Sequence, residues 1–293
     1  MVDRTIQGQP SSLPTMLKAA LPVLPGVGKL PWVRRHGTEL PDLTMHRNNV
    51  AVDPAHVTAY SAVCGFEKSQ HLPLTYPHVL AFGLHLAIMT DPSFPFPAVG
   101  TVHVANTLHQ HRPIAASERL DVSVRGVRLR PHPKGTVFDL VTTVGSDGAT
   151  VWESTSTYLR RGHGDKSDAP EGQPFRVLPG PGVEWKLAGN LGRRYASVSG
   201  DHNPIHLYPL TAKAFGFNRQ IVHGMWSKAR CVGAIATRLP DEVTVEVEFK
   251  KPIFLPGTVA FGSELAADGI DFSLTSPGNG AVHLVGRSRW GPG

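Results

Sequence analysis

The segment Tyr195-Ala-Ser-Val-Ser-Gly-Asp201 echoes an earlier one, Tyr60-Ser-Ala-Val-Cys-Gly-Phe66, at an offset of 135 positions. Pro113-Ile114 and Pro252-Ile253 match at an offset of 139, and Asp147-Gly148 and Asn279-Gly280 at 132. Three matches in one order at similar offsets mark the chain as two copies of one plan. Each Asx-Gly pair lies between alternating runs and predicts a two-residue hairpin with positive φ at both positions. The stretch 162–181 is polar and rich in Gly and Pro, which reads as a linker. The expected organisation is an N-terminal arm over 1–45, a first copy over 46–161, the linker, and a second copy over 182–293.

Within each copy, helical material comes first and strands follow. Gly224 to Ala236 has a helical rhythm, and its small residues suit close packing on a sheet. After it, Val243, Val245, Val247 and Phe249 alternate with polar residues, the period of a half-buried strand. Three more strands are predicted over 258–265, 270–275 and 281–290. The first copy reads alike, with an apolar helix over 77–89 and strands near 101–109, 119–128, 136–144 and 149–159. A helix followed by a run of antiparallel strands predicts an α+β fold. One long helix wrapped by a curved antiparallel sheet is the hot-dog arrangement, and the repeat predicts two in tandem, a double hot dog. The 46–161 and 182–293 units then pack as an internal pseudo-dimer, in a monomer or a homodimer.

Composition agrees with this and narrows the partners. At 293 residues the chain suits two units, and 41% hydrophobic against 18% charged residues excludes a disordered chain. The 30 Gly and 26 Pro favour turns over long helices. The formal charge of +6 is scattered and forms no long run, so nucleic acid is not an expected partner. Cys64 and Cys231 follow no metal-ligand or CxxC spacing, and no metal is expected. They fit a reducing cytoplasm. The N-terminus lacks an apolar signal core, and Val79 to Met89 is too short to span a bilayer, so no membrane insertion is expected.

The segment from Tyr195 to Met225 holds the candidate chemistry. Asn203 suits an N-cap and Pro204 the first helical position, which puts His206 in the first turn with Asp201 just ahead of the cap. Taken alone, the pattern is read first as capping residues with a satisfied surface histidine. A second proline, Pro209, restarts the helix, which stops at Gly216 in the C′ position.

The longer pattern is specific. Tyr195-Ala-x-x-Ser-Gly-Asp-x-Asn-Pro-Ile-His206, then Gly216-Phe217 and Ile221-Val-His-Gly-Met225, resembles the signature of MaoC-like dehydratases, the (R)-specific enoyl-CoA hydratases or hydratase 2 enzymes. The resemblance is sharp over 195–236 and departs from many relatives at Tyr208, where they carry an acidic residue. It implies a hot-dog fold and interconversion of a trans-2-enoyl thioester with an (R)-3-hydroxyacyl thioester. It also implies a catalytic pair at Asp201 and His206. Coenzyme A or an acyl carrier protein enters as the substrate's carrier, and no separate cofactor is expected.

That chemistry needs a base to activate water at C3 and an acid to protonate C2, which two groups sharing one water supply. His206 is assigned as the base and Asp201 as the partner and proton donor, an order within the pair that the sequence leaves open, and Asn203 is expected as a neighbour lining the site. Gly224 has two readings: an oxyanion donor at a helix N-terminus, or a close packing contact. The resemblance favours the donor. His223 is read as a structural hydrogen-bonding residue.

In the first copy Phe66 stands where the second has Asp201, and no Asn-Pro-x-His follows. Aligning His78 with His223 makes the first copy about ten residues shorter there, so one active site per chain is expected. The shortened segment is expected to leave room over the first helix, lined by Leu80, Leu84 and Ile88, for a medium to long acyl chain. Arg128, Arg130, Lys134, Arg160, Arg161, Lys250 and Lys251 are candidates to meet carrier phosphates. Two other functions remain open to a hot-dog unit: hydrolysis of the thioester, and acyl-thioester binding without catalysis.

Overall fold

The computed structural model describes residues 2–6, 8, 39–98, 100–164, 175–178 and 182–291. The expected arm, apart from its two ends, and most of the expected linker lie outside the described residues. A short strand β1 (Val2–Thr5) precedes two similar halves. The first contains β2 (Leu43–Ala51), α1 (Pro54–Cys64), α2 (Pro77–Thr90), β3 (Thr101–Gln110), β4 (Arg119–His132), β5 (Gly135–Ser146) and β6 (Ala149–Arg161). The second contains β7 (Val183–Leu187), α3 (Leu191–Ser199), a 3-10 turn (Pro204–His206), α4 (Pro209–Ala214) and α5 (Gly224–Ile235). Strands β8 (Val243–Phe249), β9 (Gly257–Ala266), β10 (Gly269–Thr275) and β11 (Val282–Arg289) complete it.

The strands form one sheet in the order β1-β2-β4-β5-β6-β3-β8-β11-β10-β9-β7. Leaving β1 aside, the order is symmetric about the β3–β8 junction, so each half contributes the same five-stranded layer. Every pairing is antiparallel except β1 on β2. α2 and α5 are the long helices of the two halves, and their apolar side chains enter one continuous core. This is the α+β double hot dog.

The repeat is structural. α1 and α3 both end at a left-handed glycine, Gly65 at φ 76° and Gly200 at φ 75°. The repeated tyrosines meet across the symmetry axis, with the rings of Tyr60 and Tyr195 6.3 Å apart. Lys228, fully buried on α5, pins the seam: its ammonium donates to Asn106 O (3.1 Å) and Oδ1 (2.5 Å) on β3, and to Val245 O (2.9 Å) on β8.

Three expectations need correction. Each half opens on a strand, β2 or β7, before its helices; β7 escapes a period-2 reading because it is an edge strand with one buried residue. Asp147-Gly148 forms the two-residue turn, at φ 51° and 80°, but Asn279-Gly280 does not. There β10 and β11 stop at Thr275 and Val282, and of the pair only Gly280 has positive φ. The longer turn is closed by Ser276 N to Ala281 O and Gly280 N to Ser276 O. Finally, His78 is not the counterpart of His223. Leu72 N bonds Ile114 O as Val222 N bonds Ile253 O, with matching bridges His71–Ala115 and Ile221–Phe254. This register places Pro73 opposite His223. From the αL glycine to the bridge the second half spans 21 positions and the first only 6, so the first half is shorter by 15 rather than ten.

Candidate active site

α3 ends at Gly200, and the chain turns so that Asp201, Asn203 and His206 border one cavity of about 230 Å³. The local sequence dictates this turn. Asp201 N is held by Ser199 Oγ (3.1 Å), and Asp201 Oδ1 accepts from Asn203 N (3.1 Å). Asn203 caps the next turn by accepting from Ile205 N, and Pro204 occupies its first position. That turn is 3-10 rather than α-helical. Pro209 then starts α4, and Gly216 lies just past its end at φ 84°, as read from the sequence.

His206 is buried, and its Nδ1 lies 2.8 Å from Ile221 O. A carbonyl only accepts, so Nδ1 carries the proton and Nε2 is left as a free lone pair. His223 Nε2 likewise donates to the backbone carbonyl of Asp201 at 2.9 Å. His223 Nδ1 is buried without a partner among the described residues. Burial lowers the pKa of both imidazoles, and the neighbouring His206 lowers that of His223 further. Burial raises the Asp201 carboxyl above its ordinary range, against the opposing pull of His206. The pair is thus a carboxyl held toward its acid form beside a neutral imidazole.

The first amides of α5 reach the same cavity. His223 gives this helix no side-chain cap, so Gly224 N–H at its positive end is available to a developing negative charge. Both readings of Gly224 are visible: a Cβ there would lie 3.2 Å from the Phe249 ring. Asp201, His206 and His223 each offer one ligand atom within 4.8 Å of the others, so this group could hold a metal ion. The two imidazoles, however, lie face to face with planes 27° apart, which directs their in-plane lone pairs side by side rather than to one point.

Leu80, Leu84 and Ile88 do not line the cavity. They are buried in the core, on the opposite face of α2. The cavity does extend over α2, through Phe82, Leu86 and Met89, which lie on the other stripe of a 3.6-residue helix. Among the basic candidates, Arg128 and Arg130 are engaged by the buried Asp139, whereas Arg161, Lys250 and Lys251 border the cavity. Gly192 escaped the sequence reading: a Cβ there would lie 1.9 Å from the backbone oxygen of His206, so only glycine lets α3 support that turn. No local signal marks it, because the contact joins two segments.

Fold and site together define a double hot-dog protein with a carboxyl–imidazole pair at one cavity. A family profile described as MaoC like domain matches residues 183–272. The chain is 38% identical over 283 residues to 3-hydroxyacyl-thioester dehydratase X of Mycobacterium tuberculosis, covering 96% of this chain and 99% of the relative. The crystal structure of HtdX from that organism superposes with a TM-score of 0.75 at 36% identity, covering 84% of this chain and 99% of the other. A MaoC-like dehydratase from Phytophthora capsici shares the fold, with a TM-score of 0.67 at 20% identity over 85% of this chain and 95% of its own. The chain belongs to the MaoC-like dehydratase family and is a hydro-lyase. Among the described residues, no helix is long and apolar enough to cross a membrane.

Proposed function

We propose that the protein interconverts trans-2-enoyl and (R)-3-hydroxyacyl thioesters of medium to long chain, at one active site per chain. The observation that carries this reading is the shared cavity of Asp201 and His206, with His206 Nδ1 committed to Ile221 O. In hydration, His206 Nε2 takes a proton from water as oxygen bonds to C3. Asp201, kept toward its protonated form by burial, delivers a proton to C2 on the same side. Gly224 N–H stabilises the thioester oxygen as enolate charge develops there. Dehydration runs through the same groups in reverse, and the two carboxyl and imidazole protonations titrate as a pair.

The face of Phe82, Leu86 and Met89 is assigned to the acyl chain, and Arg161, Lys250 and Lys251 to the phosphates of coenzyme A or an acyl carrier protein. The first half has Phe66 where Asp201 stands and lacks the turn that bears His206. It acts as the pseudo-dimer partner. The test follows loss of the conjugated enoyl-thioester absorbance for wild type, Asp201→Asn and His206→Ala, with product chirality determined. Unchanged rates in both variants, release of free thiol in place of hydration, or an (S)-product would overturn the reading.

A further inference from the structure

The outer face of the sheet carries a second cluster at the junction of the two halves. Strands β6, β3 and β8 lie side by side, and their register sets Glu153 and Thr244 on either side of His109. His111 follows two positions after His109, which returns it to the same face. Leu108 and Gln110 point inward and are buried, so the two histidines face solvent. Glu242, just before β8, brings a carboxylate to the group.

The hydrogen bonds orient both rings. His109 Nδ1 lies 2.8 Å from Thr244 Oγ1, while its Nε2 lies 3.6 Å from Glu242 Oε1. His111 Nε2 lies 3.2 Å from Glu153 Oε2. An ionised carboxylate only accepts, so His111 donates from Nε2 and keeps its lone pair on Nδ1. The rings stand edge to face, with centroids 4.3 Å apart. One ligand atom from each of His109, His111 and Glu242 lies within 4.8 Å of the others.

We propose that His109, His111 and Glu242 form a surface site for a divalent transition-metal ion, with Thr244 and Glu153 as its outer partners. Two imidazoles and a carboxylate suit zinc, which binds such donors at about 2.0–2.2 Å and accepts water in a fourth position. Hydrogen bonds from the outer nitrogens to a hydroxyl and a carboxylate are the usual support of metal-bound imidazoles. The ligands come from β3 and from the entry to β8, so the ion would clamp the two halves together. None of these residues borders the cavity, and the inference does not rest on the proposed reaction.

The test is calorimetric titration of zinc chloride into the tag-free full chain, with thermal unfolding measured alongside. Wild type is expected to bind zinc and to melt at higher temperature with it. His109→Ala and His111→Ala are each expected to weaken binding at least tenfold and to lose the rise in melting temperature. Thr244→Val is expected to weaken binding by roughly 10- to 100-fold, and His206→Ala to leave it unchanged. Absence of binding by wild type overturns the proposal. So does binding that survives His109→Ala and His111→Ala but disappears in His206→Ala, which would place the ion in the cavity.

Discussion

His206 stacks on His223, with ring centroids 3.8 Å apart and planes 27° apart. Each ring donates to a different backbone carbonyl, that of Ile221 for His206 and that of Asp201 for His223. The division of labour follows from these bonds. His206 keeps a free nitrogen for a proton, while His223 fixes the segment that bears the carboxyl. Asp201→Asn and His206→Ala are each expected to lower kcat by roughly 10²–10⁴-fold with little change in melting temperature. His223→Ala is expected to lower kcat as a positioning change, and His223→Gln to restore part of it, because the amide can still donate to Asp201 O. Equal loss in both His223 variants would argue instead for direct proton transfer at His223.

Gly192 supports the same turn from below. A methyl group there would fall 1.9 Å from His206 O, so Gly192→Ala must displace the 3-10 turn or the start of α3. The displacement acts on the proposed base more than on the proposed acyl-binding face, since Phe82, Leu86 and Met89 belong to the other half. Gly192→Ala should therefore reduce kcat at least tenfold, with a smaller change in KM. Steady-state kinetics with one enoyl thioester checks this. Wild-type kcat would show that the turn is not what places His206.

What the sequence made legible was what local chemistry writes. The Asp201–Asn203–Pro204 capping pattern, the left-handed Gly216 and the alternation of Val243, Val245 and Val247 all appear where read. Longer-range relations were not legible. Leu80, Leu84 and Ile88 are as apolar as Phe82, Leu86 and Met89, and only the packed fold decides which stripe of α2 borders the cavity. The register of the two halves likewise depends on backbone bonds such as Leu72–Ile114, which no side chain announces. Lys228, a charged side chain within a helical run, is wholly buried at the seam because three carbonyl-type oxygens converge on it, two of them on a strand of the other half.

The stripe on α2 sets a chain-length prediction. Leu86→Trp fills space over the helix and leaves the carboxyl–imidazole pair untouched. It should lower kcat/KM for long-chain enoyl thioesters by roughly tenfold or more while sparing a four-carbon substrate. Leu84→Trp, directed into the core, should instead destabilise the fold and affect all chain lengths alike. A wild-type enzyme that favoured four-carbon substrates over long ones would remove the basis for both expectations.

Stability should fall in mild acid for a reason the same buried rings supply. His78, His85, His103, His206 and His223 all have pKa values lowered chiefly by burial, His78 to about 4. Each is neutral in the folded chain, whereas the unfolded chain takes up protons as pH drops through about 6.5. Between those values the unfolded state binds more protons, so unfolding becomes easier as pH falls. Their stabilising contribution is complete above about pH 6.5 and is lost toward the lowered folded values. For His78 alone the loss is on the order of 3 kcal/mol by pH 4. Melting temperature should decline steadily from pH 6.5 to 4, and His78→Gln should flatten that decline even though it lowers stability at pH 7.5. Parallel pH profiles for wild type and His78→Gln would show that folding does not lower the pKa of this ring.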